Sequence, residues 1–189
     1  MIKSPVLELD KQTQTRLRRA GFNFFEDDPD VRAEFIETMV PLTYEAYTCM
    51  AKRGYFGEAG EERVFRELFG RLLIDRIKKH RSRPIEIVLS ADRKDLLEIV
   101  RGVISSCTHS INTTSRGQVR VSPTVRISER LEECLELTRY VAAIVQQRLD
   151  PSEWGTQAAR RFRRIKSKVR LIRRLDTGEY LSRHHPLPD

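Results

Sequence analysis

Fifteen consecutive residues in the last fifth of the sequence concentrate the side chains that could bind a phosphate. Residues 160–174 read RRFRRIKSKVRLIRR, and nine of the fifteen are Lys or Arg, with no acidic residue among them. Arginine presents several N–H donors that match the oxygens of a phosphate, and lysine adds a compact positive charge. The nine candidates for phosphate contact are Arg160, Arg161, Arg163, Arg164, Lys166, Lys168, Arg170, Arg173 and Arg174.

The apolar residues between these cations recur at the spacing of one helix face. The stripe consists of Trp154, Ala158, Phe162, Ile165, Val169 and Ile172, at intervals of four, four, three, four and three residues. The preceding segment DPSE, at 150–153, is typical of a helix start, with an Asp cap and a Pro at the first helical position. We therefore expect a basic amphipathic helix that runs through Arg174 and turns its cations towards solvent.

The positive charge of the chain is concentrated in the same region. The whole sequence of 189 residues has a formal net charge of +8. Residues 151–189 contain ten Lys or Arg and four acids, whereas residues 1–150 contain 25 Lys or Arg and 23 acids. Such a local excess points to an acidic partner, which is nucleic acid, an acidic protein surface or an anionic membrane.

This basic surface supports two functional hypotheses, and a third interpretation assigns it no binding function. The leading hypothesis is a non-catalytic nucleic-acid-binding protein, a regulator or a subunit of a nucleoprotein complex, that contacts the backbone of DNA or RNA through the nine cations. The alternative is an adaptor or assembly subunit that docks its basic helix on an acidic protein partner or on a second copy of the chain. In the third reading, the cations form a solvated face that pairs with the acidic clusters at 26–30 and 129–136.

Motifs that would identify an enzyme or a cofactor site are missing from the sequence. It contains no GxxxxGK[ST], GxGxxG, GxSxG or HExxH. Cys107 and His109 lie two residues apart and His184 and His185 are adjacent, but no second pair has ligand spacing. We expect no catalytic residues, no cofactor and no metal, and an enzyme without a recognisable motif remains the third class of function.

The cysteines and the hydropathy pattern bear on where the chain resides. Cys49, Cys107 and Cys134 are far apart and odd in number, which is not the disulfide framework of a small secreted domain. The N-terminal MIKSPVLELD lacks the apolar segment of a signal peptide, and no apolar run approaches the roughly 20 residues that span a bilayer. We expect an intracellular protein without a membrane span, cytoplasmic or nucleoid-associated.

The rest of the sequence predicts a mainly α-helical (α+β) class, with a bundle-like single domain and a small β element. Apolar periodicity predicts helices over 30–53, broken at Pro41, over 61–81, after the strand IEIVLS (85–90), and over 129–149. The segment VRVSPTVRIS (119–128) alternates and predicts two short strands, and LDTGEYLSR predicts a turn at Thr177-Gly178 into an extended segment. Residues 1–150 would form the helical core, and 151–189 the basic helix and tail packed on it.

An aromatic cluster precedes the first of these helices. The segment FNFFEDDPD contains Phe22, Phe24 and Phe25, followed by four acidic residues and Pro29. Large aromatic side chains gain most by burial, so we expect all three to anchor this turn against the core. Pro29, preceded by Asp28, suits the first turn of the helix that follows.

Overall fold

The part of the chain that the structure describes is mainly helical, and five short strands lie between its helices. The computed structural model describes residues 15, 21–52, 54–58, 60–80, 83–114, 122–128, 133–149, 155–182 and 185. Within them lie α1 (Pro29–Met39), β1 (Ala46–Met50), α2 (Glu61–Lys79), β2 (Glu86–Ser90), a 3₁₀ helix (Ala91–Leu96), α3 (Leu97–Thr114), β3 (Thr124–Ser128), α4 (Glu133–Leu149), α5 (Gly155–Ile165), β4 (Val169–Arg174) and β5 (Tyr180–Ser182). The predicted mainly α or α+β class is confirmed.

Helix boundaries follow from local sequence. Helix α1 begins at Pro29, after Asp28 in an extended conformation, and ends at Met39, shortly before Pro41. Proline is pre-organised for the first turn and cannot donate the hydrogen bond that a helix interior needs, so it suits both ends. Helix α2 has acidic residues in its first turn and Arg76, Lys78 and Lys79 in its last, an arrangement that complements the helix dipole.

The described residues fall into two compact units, and the first contains 21–46, 133–149 and 155–170. In this unit α5 packs against α4 and α1. Its most deeply buried large side chains come from all three helices and from the turn before α1, and they are Phe24, Met39, Tyr140, Ile144 and Ile165. Burial of this apolar surface is the main term that stabilises the unit.

The turn before α1 is held by a buried carboxylate. Asp27 is only 2% exposed, and its Oδ2 accepts the backbone N–H of Asn23 at 3.0 Å and the hydroxyl of Tyr140. Because a buried polar group without hydrogen bonds is costly, these two donors help to fix the conformation of the turn. Phe24 is buried edge-on against Tyr140, but Phe25 is 59% exposed, so the prediction that it anchors the turn is wrong.

The second unit contains the described residues between 47 and 128 together with 171–182 and 185. Helices α2 and α3 pack against each other, and their apolar faces form a core of Leu73, Ile77, Val103, Cys107 and Ile111. Strands β2 and β3 pair in parallel, from Glu86 opposite Thr124 to Ser90 opposite Ser128. Both strands were predicted from the sequence, whereas the partner predicted at 119–121 lies outside the described residues.

A three-stranded sheet has the order β1-β4-β5. Strand β4 runs antiparallel to β5, with Ile172 opposite Leu181. The connection turns through Gly178, whose φ of +71° is a left-handed conformation that glycine adopts without strain. This confirms the turn and the extended segment that the sequence predicted there.

The prediction that the helix continues over 42–53 is wrong, because residues 46–50 form β1. Its sequence, AYTCM, includes the strand-favouring Tyr47 and Thr48. The backbone N–H of Ala46 donates to the carbonyl of Lys168 at 2.9 Å, and the N–H of Leu175 donates to the carbonyl of Met50 at 2.9 Å. Pairing with a segment more than 120 residues away decides the structure here, and helical periodicity cannot register it.

The prediction of one basic helix through Arg174 is wrong beyond Ile165. There α5 ends in a tight turn, in which the N–H of Lys168 donates to the carbonyl of Ile165 at 2.8 Å, and β4 begins at Val169. Leu171 and Ile172 are both 2% exposed, as expected for a central strand covered on both faces. Val169 and Ile172 fit a helical stripe only by coincidence of spacing.

Trp154 and the helix start at 150–153 lie outside the described residues, and the division at 150 stays a prediction.

Candidate nucleic-acid interface

Helix α5 presents one face of arginines to solvent. Its opposite face is buried through Ala158, Phe162 and Ile165. Residues three and four apart are neighbours on a helix surface, so Arg160, Arg163 and Arg164 form one cluster, which we call the α5 arginine face. All three side chains are exposed. The structure describes a helix here only over Gly155–Ile165, which covers the first six residues of the basic stretch.

Arg160 and Arg163 have their hydrogen-bonding groups available to a partner. Neither side chain makes a hydrogen bond or an ion pair within the described ranges. Each guanidinium has five N–H donors in a planar fork, the geometry that matches two phosphate oxygens at once. Two such groups one turn apart can contact successive phosphates along a backbone.

Arg164 differs from its two neighbours because it has an acidic partner on α1. Its Nε donates to Oε1 of Glu37 at 2.8 Å, and its Nη2 contacts Oε2 of the same carboxylate. This bidentate hydrogen bond and the charge of Glu37 raise the pKa of Arg164. Both side chains are about half exposed, and solvent-exposed ion pairs of this kind contribute little to stability. A phosphate could therefore replace Glu37 at small cost.

Two of the nine predicted cations serve the interior of the first unit. Arg161 donates to the side-chain oxygens of Gln147 and Gln157, both at 3.2 Å, and lies over the ring of Phe24. Burial, and next the charge of Arg32, lower the pKa of Arg161. Lys168 donates to the carbonyl of Leu42 at 2.6 Å. These contacts hold the fold together and leave the two cations poorly placed for a ligand.

Lys168 also lies close to the ring of Tyr44. The ammonium of Lys168 lies 5.6 Å from the centroid of the Tyr44 ring, a cation–π distance. Burial raises the pKa of the Tyr44 hydroxyl to about 12. Lys166, two residues earlier, lies half-buried in the turn after α5.

The three arginines of β4 each have a carboxylate partner. Arg170 contacts Glu45 at 2.9 Å and Arg173 contacts Asp75 at 3.2 Å. Arg174 contacts Asp176 at 2.9 Å and Glu179 at 3.2 Å. These hydrogen bonds raise the pKa of Arg174, and the Arg174 guanidinium lowers the pKa of Asp176. These side chains are therefore less available to a phosphate backbone than the exposed arginines of α5, because each already shares its donors with a partly buried carboxylate.

The nine predicted residues thus separate into different environments. Arg160, Arg163 and Arg164 share one exposed face, whereas the others lie in a turn, on a strand or against the core. The acids that pair with Arg164, Arg170 and Arg173 are Glu37, Glu45 and Asp75, not the clusters at 26–30 and 129–136. Those pairs join residues up to 127 apart in sequence, and no local pattern marks them.

The described residues were also searched for a metal site, a reactive cysteine and a membrane-spanning helix. Across the described ranges, no group of three or more His, Cys, Asp or Glu side chains is arranged to hold a metal ion. Cys107 is buried in the core of the second unit, and burial raises the pKa of its thiol. None of the helices described in the structure has the length and apolar character needed to cross a membrane.

The chain was compared with protein-family models, with curated proteins and with solved structures, and none of the three comparisons finds a match.

Proposed function

We propose that the chain is a non-catalytic nucleic-acid-binding protein that holds the phosphate backbone through the α5 arginine face. The observation that carries the proposal is the pair Arg160 and Arg163, exposed one turn apart and without a partner among the described residues. When such cations neutralise phosphates, counterions that were condensed on the nucleic acid are released, and this release drives association. Arg164 adds a third contact by exchanging Glu37 for a phosphate.

Backbone contacts position a protein on nucleic acid without reading its bases. We therefore propose a regulator or a subunit of a nucleoprotein complex that binds with little sequence preference, in the cytoplasm or the nucleoid. The remaining six cations of the basic stretch are a weaker part of this proposal. Arg161 and Lys168 support the core of the first unit, and the arginines of β4 already neutralise carboxylates.

The salt dependence of binding tests the proposal. Labelled mixed-sequence DNA duplex, RNA duplex and single strands of equal length are titrated with the chain across a salt series, and anisotropy reports the affinity. Two to three phosphate contacts predict a slope of log K against log salt between about −1.8 and −2.7 for duplex DNA, at about 0.9 for each phosphate. A matching slope with little difference between sequences supports backbone contact.

A failure to bind nucleic acid would favour an acidic protein as the partner. If no nucleic acid binds at the lowest salt, or if the affinity does not change with salt, the proposal is wrong. The α5 arginine face would then suit an adaptor or assembly subunit that docks on an acidic protein surface.

A further inference from the structure

A cleft in the second unit combines aromatic and cationic side chains. It has a volume of about 670 Å³, within the range of pockets that take small ligands. The lining side chains are Tyr55, Phe56, Arg63, Glu67, Arg71, Arg173 and Leu175. Only Arg173 belongs to the predicted basic stretch, so sequence reasoning did not identify this site.

Helix α2 supplies one wall of the cleft. Arg63, Glu67 and Arg71 are spaced four residues apart and therefore lie along one side of the helix. Glu67 accepts a hydrogen bond from Nε of Arg71 at 2.9 Å. The side chain of Arg63 makes no ion pair or hydrogen bond to any residue that the structure describes, so its guanidinium is available to a ligand.

Strand β4 supplies a third guanidinium. Nη1 of Arg173 lies 3.2 Å from Oδ2 of Asp75, which is not itself a lining residue. The lining side chains therefore carry three positive charges and one negative charge. A dianionic phosphate would complement this excess and could accept hydrogen bonds from more than one arginine.

The aromatic wall is presented by a tight turn after β1. Gly54 and Gly57 flank Tyr55 and Phe56 with φ of +85° and +61°, and the N–H of Gly57 donates to the carbonyl of Gly54 at 2.9 Å. A Cβ at either glycine would meet no atom within 4 Å, so the backbone conformation, rather than space, requires glycine there. The Tyr55 and Phe56 rings pack edge-on at 4.9 Å, and Tyr55 stays 49% exposed.

We propose that this cleft binds a nucleotide unit, with the base stacked on Tyr55. The phosphate is held by Arg63, and by Arg71 and Arg173 through the guanidinium donors that Glu67 and Asp75 do not use. An exposed aromatic ring beside a group of arginines provides the two contacts that a nucleotide needs, a stacking surface and phosphate donors. The site shares no residue with the α5 arginine face, and it stands whether or not that face binds a backbone. The nucleotide comes either from a single strand or from a free mononucleotide, since both have this chemistry.

Isothermal titration of the full chain with four probes tests the proposal. The probes are AMP, adenosine, inorganic phosphate and a short single-stranded oligoadenylate. Recognition of base and phosphate together predicts that AMP or the oligonucleotide binds more tightly than either adenosine or phosphate alone. Binding of AMP identifies a mononucleotide site, whereas binding of the oligonucleotide alone identifies a strand. If none of the probes binds, or if phosphate binds as tightly as AMP and the oligonucleotide, the proposal is overturned.

Matched variants assign the binding to the cleft. Tyr55→Ala is expected to weaken binding roughly tenfold through lost stacking. Phe25→Ala, which removes another exposed aromatic ring outside the cleft, leaves binding unchanged. Arg63→Gln reduces the affinity for AMP towards that for adenosine, whereas Arg66→Gln, on the same helix but paired with Glu62, does not. Equal losses within either pair would overturn the assignment.

The same variants separate this site from the proposed function. Tyr55→Ala is expected to leave the affinity and salt slope for duplex DNA unchanged, because duplex binding is assigned to the α5 arginine face. Nucleotide binding without duplex binding would remove the proposed function and keep the cleft. Duplex binding without nucleotide binding would remove the cleft as a nucleotide site and keep the proposed function.

Discussion

Replacing Arg160 and Arg163 together by Gln is expected to weaken binding to duplex DNA roughly a hundredfold at low salt. The two side chains are the exposed cations of α5 that have no partner among the described residues. Each lost phosphate contact removes about 0.9 from the salt slope, so the slope should fall by about 1.8. The measurement is the same anisotropy titration, run at several salt concentrations on the chain and on the variant.

The control removes the same charge from residues that already have partners. Arg66 and Arg101 are exposed, but they pair with Glu62 at 2.7 Å and with Glu98 at 2.6 Å. Their double replacement by Gln lowers the net charge by the same amount. It is expected to change the affinity less than threefold once the salt concentration reaches about 0.1 M, where charges away from the contact are largely screened. Equal losses in the two variants would show that net charge, and not the α5 arginine face, governs binding.

Phe24→Ala is expected to lower the free energy of unfolding by about 3–5 kcal/mol. The ring is 1% exposed and meets the ring of Tyr140 edge-on at a centroid distance of 5.3 Å. The guanidinium groups of Arg32 and Arg161 lie 5.5 and 5.4 Å from its centroid, so truncation also removes two cation–π contacts. Urea denaturation followed by circular dichroism measures the change.

The adjacent Phe25 provides a control of the same residue type. Its side chain is 59% exposed, and Phe25→Ala is expected to change stability by about 0.5 kcal/mol or less, as is usual for exposed positions. A large loss for Phe25→Ala, or a small one for Phe24→Ala, would contradict the packing described for the turn before α1.

Elements with strong local signals were predictable from the sequence. The break of α1 before Pro41 follows from the lost backbone donor, and the long apolar periodicity of α2 identifies that helix. The turn at Gly178 follows from the conformational freedom of glycine. In each case the residues that decide the structure lie within a few positions of one another.

Elements that depend on distant partners were not predictable in the same way. The apolar spacing of β1 predicts a continuation of a helix, but the backbone of Ala46 pairs with that of Lys168 and residues 46–50 form a strand. The basic stretch reads as one helix because Val169 and Ile172 fit a helical interval, although β4 is defined by its neighbours in the sheet. A sequence pattern reports periodicity, but it does not report which remote backbone completes the hydrogen bonds.

The candidate site was predictable only in part for the same reason. The abundance of cations at 160–174 is visible in the sequence, and the side chains of Arg160 and Arg163 have no partner among the described residues. Their neighbours Arg164, Arg170 and Arg173 acquire acidic partners from α1, from the segment before β1 and from α2. The cleft unites residues from 55–71 and 173–175, and its composition becomes apparent only in three dimensions.

Site-specific photo-crosslinking tests most directly whether the α5 arginine face contacts nucleic acid. Thr156 is exposed on α5, one turn before Arg160, and Thr113 is exposed on α3. The photoreactive residue p-benzoylphenylalanine replaces one threonine or the other, and each variant is irradiated with labelled duplex DNA. The proposal predicts a salt-sensitive crosslink from position 156 and none from position 113. Crosslinking from position 113 alone, or equally from both positions, would contradict it.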